Sequence, residues 1–257
     1  MSSVGNWRGP DIIKDGLVFY FNAASPNSFY TPSSSTLIKN IGGFSDTSSL
    51  TGSLVNGASF NTTFGGVFNF DGSDDHIVLG TFPSVNFTNG ITIDVVVRFA
   101  ALGGGGWERF IDLSTASGTL IQFGRHSVFS NVFFSCKNAT GPDAGLNRRY
   151  QSTGTTITTN QITMYSVTLP AGTPGDATAG CVLYRNGVEI LGQLATANEN
   201  PRLPTTQTRE TGYIARSPFA GNSFLNGSVY QLKIYNRTLS RTEVLRNYNG
   251  IKDIFGI

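Results

Sequence analysis

Charge is scarce in this chain: 13% of its 257 residues are Asp, Glu, Lys or Arg, and 18 basic against 16 acidic side chains leave a formal charge of +2. The basic residues are scattered, so nothing resembles the positive face that a nucleic-acid partner requires. Arg148-Arg149 is the one basic doublet. It sits in a Gly-rich segment that reads as a solvated loop, with an anionic glycan or protein contact as the other reading. No stretch approaches the about 20 apolar residues of a membrane span. The opening MSSVGNWRGPDIIKDG lacks a basic segment followed by an apolar run and a small-residue cleavage site, so no secretion signal is expected in it.

Residues that carry chemistry are equally sparse. With two histidines, His76 and His126, and two cysteines, Cys136 and Cys181, no zinc spacing can be assembled. Phe134 with Cys136, and Cys181 with Leu183, share strand faces, which suits core thiols. A disulfide would need Cα atoms about 4.4–6.8 Å apart, and spacing alone leaves both free thiols and a bond open. Nucleophile-elbow, phosphate-loop and zinc-protease motifs are absent, and Ser127 beside His126 has no orienting acid. A glycosidase needs two carboxylates facing each other across about 5–9.5 Å. The cleanest strand offers only Asp94, and Glu108 is separated from it by Gly103 to Gly106. A noncatalytic protein without cofactor is expected.

What is abundant is Gly (31) and Phe (19), with 39% of residues apolar, the composition of a rigid β shell with many turns. Leu17, Phe19 and Phe21 alternate with Val18 and Tyr20, predicting a strand buried on both faces. Ile91, Ile93, Val95, Val97 and Phe99 point one way with Thr92, Asp94, Val96 and Arg98 opposite, predicting one core face and a partly covered second face. Asn186-Gly187 between two apolar runs predicts a tight hairpin. Asp71, Asp74 and Asp75 could place oxygens on Ca²⁺, but capping of turn amides gives each a role without a metal. In the last strand, Tyr230, Leu232 and Ile234 are expected on one face, with Gln231, Lys233 and Tyr235 on the other. A helix follows, with Ser240 and Glu243 at capping-box spacing and Val244, Leu245 and Tyr248 as its apolar side.

Five segments, DGLVFYFNAASPNSF (15–29), FNFDGSDDHIVL (68–79), ITIDVVVRF (91–99), LYRNGVEI (183–190) and FLNGSVYQLKIYNRTLSRTEVLRNYN (224–249), resemble in order the concanavalin A-like, laminin G-like jelly-roll family found in lectin, adhesin and phage virion proteins. The resemblance implies an all-β, two-sheet antiparallel jelly-roll sandwich with a short C-terminal helix, residues 15–257 as one domain and residues 1–14 as an N-terminal arm. Fold alone does not choose among binding, catalysis and assembly. The signal-free start and low charge favour a noncatalytic phage virion structural or decoration protein of tail, fibre or head surface. Its partners would be other virion proteins and copies of itself, through Trp7, Ile12 and Ile13, unless the arm folds back on its own sandwich. The alternative is an extracellular or cell-surface carbohydrate-binding, lectin-like or adhesin module. It would meet a cell-surface glycan through Trp107, Asn131, Arg148 and Tyr150, Trp107 serving either as a sugar platform or as a cover for the core rim.

Overall fold

The computed structural model describes residues 11–28, 37–42, 50–115, 118–127, 129–138, 144–146, 148–171, 180–196, 199, 201–203, 209 and 211–257. Its strands are Leu17–Asn22 (β1), Leu37–Lys39 (β2), Thr51–Val55 (β3), Ser59–Asn61 (β4), Val67–Asp71 (β5), His76–Leu79 (β6), Gly90–Phe99 (β7), Arg109–Asp112 (β8) and Leu120–Arg125 (β9). Then come Val132–Lys137 (β10), Arg149–Ser152 (β11), Ile162–Pro170 (β12), Val182–Arg185 (β13), Val188–Ile190 (β14), Gly192–Leu194 (β15), Gly212–Ile214 (β16) and Asn226–Tyr235 (β17). Helices α1 (Arg241–Asn249) and α2 (Lys252–Phe255) close the chain.

The strands form two antiparallel sheets. One runs β14-β13-β12-β7-β17-β5-β4, with β1 pairing the C-terminal half of β17 beside β5. The other runs β15-β11-β10-β9-β8-β16-β6-β3-β2. The alternation of β7 explains the layering. Ile91, Ile93, Val95, Val97 and Phe99 enter the main core between the sheets, while Val96 joins Val67, Met164, Tyr230, Ile251 and Phe255 on the outer face under the C-terminal helices. Burying each such side chain stabilises by roughly 1.5–3 kcal/mol, which makes this two-sided strand the axis of the fold.

Two expectations needed correction. On β17, Leu232 and Ile234 do face the main core, but Tyr230 lies on the outer face. The register of β17 against β7 shifts between Val229 and Gln231. Such a bulge adds one unpaired residue and turns two consecutive side chains the same way. On α1, Val244 is buried as expected, but its companion is Asn247, and Leu245 is exposed. The tight turn is present: Asn186 and Gly187 both take positive φ, 51° and 76°, between the paired residues Arg185 and Val188. Cys136 and Cys181 are thiols, not joined in a disulfide, buried in the main core.

Residues 11–14 lie against the chain's own domain. Ile12 and Ile13 pack, half-buried, on Leu17, Tyr184, Tyr235, Leu239 and Val244, and the Ile13 amide donates to Asn247 Oδ1 at 2.8 Å. Trp7 is outside the described residues.

The capping box forms as predicted, Ser240 Oγ accepting from the Glu243 amide and Glu243 accepting from the Ser240 amide. Arg237 grips the same carboxylate with both Nη atoms, at 3.0 and 2.7 Å. Mainly through Arg237, Glu243 falls from 4.5 to about 2. A depressed carboxylate stabilises the fold above its unfolded pKa, and that contribution disappears as pH falls through the folded value. Glu243→Gln is therefore expected to cost about 1 kcal/mol or less at pH 7, since the pair is partly solvent-screened. The difference in thermal midpoint from the wild type should close between pH 4.5 and about 2. A difference independent of pH would refute it.

Candidate functional site

The outward face of the nine-stranded sheet is polar at its centre. Asp112 is fully buried there and accepts from the Ser114 amide at 3.0 Å, from Ser114 Oγ, from Gln122 Nε2 at 2.8 Å and from Ser217 Oγ at 3.1 Å. Arg109 Nε stands 3.4 Å from Asp112 Oδ2. Burial pushes the Asp112 carboxyl up against the opposing pull of Arg109 and these donors, and burial draws Arg109 down to about 10. The Arg109 guanidinium lies 4.9 Å from the Phe133 ring centre, and that of Arg149 lies 4.8 Å from the Trp107 ring centre. Such contacts are worth roughly 0.5–1 kcal/mol when exposed and more when desolvated.

Trp107 owes its place to the glycine loop before it. The loop is pinned by Glu108, whose Oε1 accepts from the Gly103 amide at 2.6 Å and whose Oε2 accepts from Arg125 Nε. Arg125 also donates to the Gly103 carbonyl, and Gly106 accepts from the Ser223 amide at 2.9 Å. β8 and β9 approach so closely behind this loop that a Cβ on Gly124 would stand 2.1 Å from the Glu108 carbonyl oxygen. Trp107 itself has φ 65°, a left-handed backbone that costs a non-glycine residue on the order of 1–3 kcal/mol. Its indole meets His126 and Phe133 edge-on, with centroids 4.8 and 5.3 Å away. Burial first, then the Arg149 charge, pulls His126 down to about 4, keeping it neutral beside the indole near pH 7.

Trp107, Arg109, Gln122, Phe133, Ser135 and Arg149 line a cleft of about 280 Å³, together with Phe219 and Asn222. Phe219 is exposed; Asn222 is tethered by its amide to Ser217 Oγ at 3.0 Å. The cleft thus combines aromatic rings with amide, hydroxyl and guanidinium groups, the inventory for seating a polar ring-shaped ligand.

Of the residues proposed for ligand contact, only Trp107 lines this cleft. Asn131 is buried and donates to the Ser152 carbonyl at 2.8 Å, joining strands. Arg148 is buried, and its carbonyl accepts from Ser135 Oγ at 3.0 Å. Tyr150 packs on the main core over Gly192. The cause is strand alternation: Tyr150 pairs with core-facing Phe134, whereas Arg149 pairs with Ser135 on the outward face. Arg149, Phe133 and Ser135 were missed, as were Arg109, Gln122, Phe219 and Asn222, and Phe134 and Cys136 as core positions carried the signal for Phe133 and Ser135. Asp94 and Glu108 belong to opposite sheets; Asp94 lies under α1, accepting from Asn247 Nδ2 at 2.7 Å.

Asp71, Asp74 and Asp75 bring carboxylate oxygens within 4.8 Å of one another, so this trio is where a cation would be held. Two of them already serve the turn. Asp71 Oδ1 accepts from the Ser73 amide at 2.7 Å, and Asp75 Oδ2 accepts from the Asp71 amide at 3.0 Å. Among the described residues no helix is long and apolar enough to cross a membrane.

An all-β jelly-roll sandwich with a polar cleft on one sheet is a lectin-type architecture. Residues 71–245 match the model of the concanavalin A-like lectin/glucanases superfamily, and the chain belongs to that family. No curated protein sequence matches it. Among solved structures it is similar to the binding domain of Paraclostridial Mosquitocidal Protein 1, with TM-score 0.64 and 17% identity, covering 95% of this chain and 55% of that one. A Trypanosoma rangeli sialidase in complex with the inhibitor DANA gives 0.61 and 13%, covering 98% and 36%. Domain 4 of AbnA, a GH43 extracellular arabinanase from Geobacillus stearothermophilus in complex with arabinotriose, gives 0.54 and 15%, covering 95% and 100%. The chain therefore spans between about a third and a half of the first two. These likenesses are of fold.

The expectation of a phage virion structural or decoration protein, with virion location and virion partners, is overturned. The structures it is similar to include a sialidase, an arabinanase domain and the binding domains of two toxins, which favour the lectin-type alternative. The low charge that favoured it suits a lectin-type β shell equally well.

Proposed function

We propose that this chain is a noncatalytic carbohydrate-binding module acting outside the cell or at its surface, and that the cleft between Trp107 and Phe219 seats the glycan. The observation that carries the reading is this cleft, which brings the exposed Phe219 ring together with Gln122, Asn222, Ser135 and Arg149. Rings of this kind stack on the apolar face of a sugar while fixed polar groups sort its hydroxyls. Two of the similar structures hold saccharide-type ligands in their own proteins, which agrees with the reading.

The noncatalytic part rests on the carboxylates. Glu108 is tied to Arg125 and Asp112 to its ring of donors, both fully buried, whereas glycoside cleavage needs two carboxyl groups flanking the bond. Titration of the chain against a panel of oligosaccharides should find a binder, and Phe219→Ala should weaken it about tenfold, the loss of one stacked ring. Binding unaffected by this surface substitution would remove the cleft from the reading. Turnover of a bound glycan that Asp112→Asn abolishes would make the protein an enzyme.

A further inference from the structure

We propose that the cleft selects an acidic sugar, receiving a carboxylate or sulfate group of the glycan on the guanidinium of Arg149. This deepens the carbohydrate-binding reading and rests on it. Arg149 is half-buried, and its Nε is fully shielded from solvent without a hydrogen-bond partner. No carboxylate among the described residues pairs with it. Arg109, in the same cleft, has Asp112 at 3.4 Å. Two guanidiniums thus line the cleft, and the one carboxylate beside them, Asp112, lies buried behind the lining, already surrounded by Gln122, Ser114 and Ser217. One positive charge remains unanswered.

A desolvated cation without a counter-ion is costly, and the face of Trp107 compensates only a little of that cost. Burial accordingly holds Arg149 below its ordinary pKa, and its charge in turn lowers Arg109. An anion arriving with the ligand would complete the cluster. A guanidinium held against an indole keeps its planar N–H fork for a bidentate oxyanion, the geometry at which arginine is strongest. An extended polyanion such as nucleic acid fits poorly, because the chain's +2 charge is scattered and the cleft is only about 280 Å³, room for about one sugar residue.

The test uses the whole chain and matched tetrasaccharides that differ at one residue: glucuronate-bearing, sulfated and neutral. At least one acidic form should bind about tenfold or more tightly than its neutral counterpart, a charge-assisted pair's worth, and should weaken as salt rises from low to high. The glucuronate and sulfate arms, with their carboxyl-reduced and desulfated controls, tell which anion is taken. Arg149→Gln should bring acidic binding down to the level the same variant shows for the neutral form, and Arg149→Lys should restore part of the preference. Thermal melting of each variant checks that the sheet is intact. Neutral and acidic forms bound equally, with sensitivity to Phe219→Ala, would overturn the acidic selection and leave the carbohydrate reading standing. No glycan of any class bound would overturn both.

Discussion

Glu108→Ala is expected to lower the folding free energy by about 3–5 kcal/mol, the cost of breaking a buried ion pair from one side. The partner left behind, Arg125, is 1% exposed and would retain only the Gly103 carbonyl among its described side-chain contacts. The Gly103 amide would lose its acceptor as well. Since this carboxylate holds the loop that presents Trp107, the near-ultraviolet circular dichroism of the native state should change together with the urea midpoint. Glu108→Leu combined with Arg125→Met should recover most of the stability, because it removes both charges rather than one. A single-variant loss below about 1 kcal/mol, the scale of a surface pair, would show that the pair is solvated and does not anchor the loop.

Asn247→Ala should be the second severe change, at about 2–3 kcal/mol for buried groups left unpaired. Asn247 is fully buried on α1, where its amide donates to Asp94 Oδ2 at 2.7 Å and to Tyr235 Oη at 3.0 Å, and its carbonyl accepts from Ile13 N at 2.8 Å. Asp94 Oδ1 already has no partner, and burial pushes this carboxyl up, with Lys233 pulling it down. Truncation would leave the carboxylate facing the buried Lys233 with one donor fewer. Amide hydrogen exchange over residues 241–249 reads this directly: protection of α1 should fall below that of β7 and β17, whereas it should change little if Asn247 merely fills space. Residues 11–14 should loosen with it, since Ile13 uses the same side chain.

What could be read beforehand was local. The alternation of β7, the Ser240–Glu243 cap and the Asn186-Gly187 turn each depend on residues within a few positions of one another, and each formed as expected. Tyr230 did not obey its period because a bulge depends on how β17 registers against β7, which Val-Tyr-Gln does not express. Asn247 gave no local signal, since its partners Ile13, Asp94 and Tyr235 are distant in sequence. The cleft failed for the same kind of reason. Arg148 and Tyr150 were chosen over Arg149, although the three are consecutive, and only the pairing of β11 with β10 decides which of them turns outward. Trp107 was legible because four glycines announce a loop and a lone indole in it must cover something.

The ends of the described chain share one side of the molecule. Asp11 is fastened to Arg246 through its carbonyl at 2.9 Å, and Ile257 packs beside the Val67–Tyr230 cluster, both over the outer face of the eight-stranded sheet. The Trp107–Phe219 cleft opens on the opposite sheet. A tether attached at Ile257 therefore pulls from the face behind the Trp107–Phe219 cleft. Immobilising the protein on a sensor surface through a C-terminal tag should leave the cleft turned toward solution and preserve the glycan binding proposed for it. Coupling through residues on the cleft-bearing sheet should blind it.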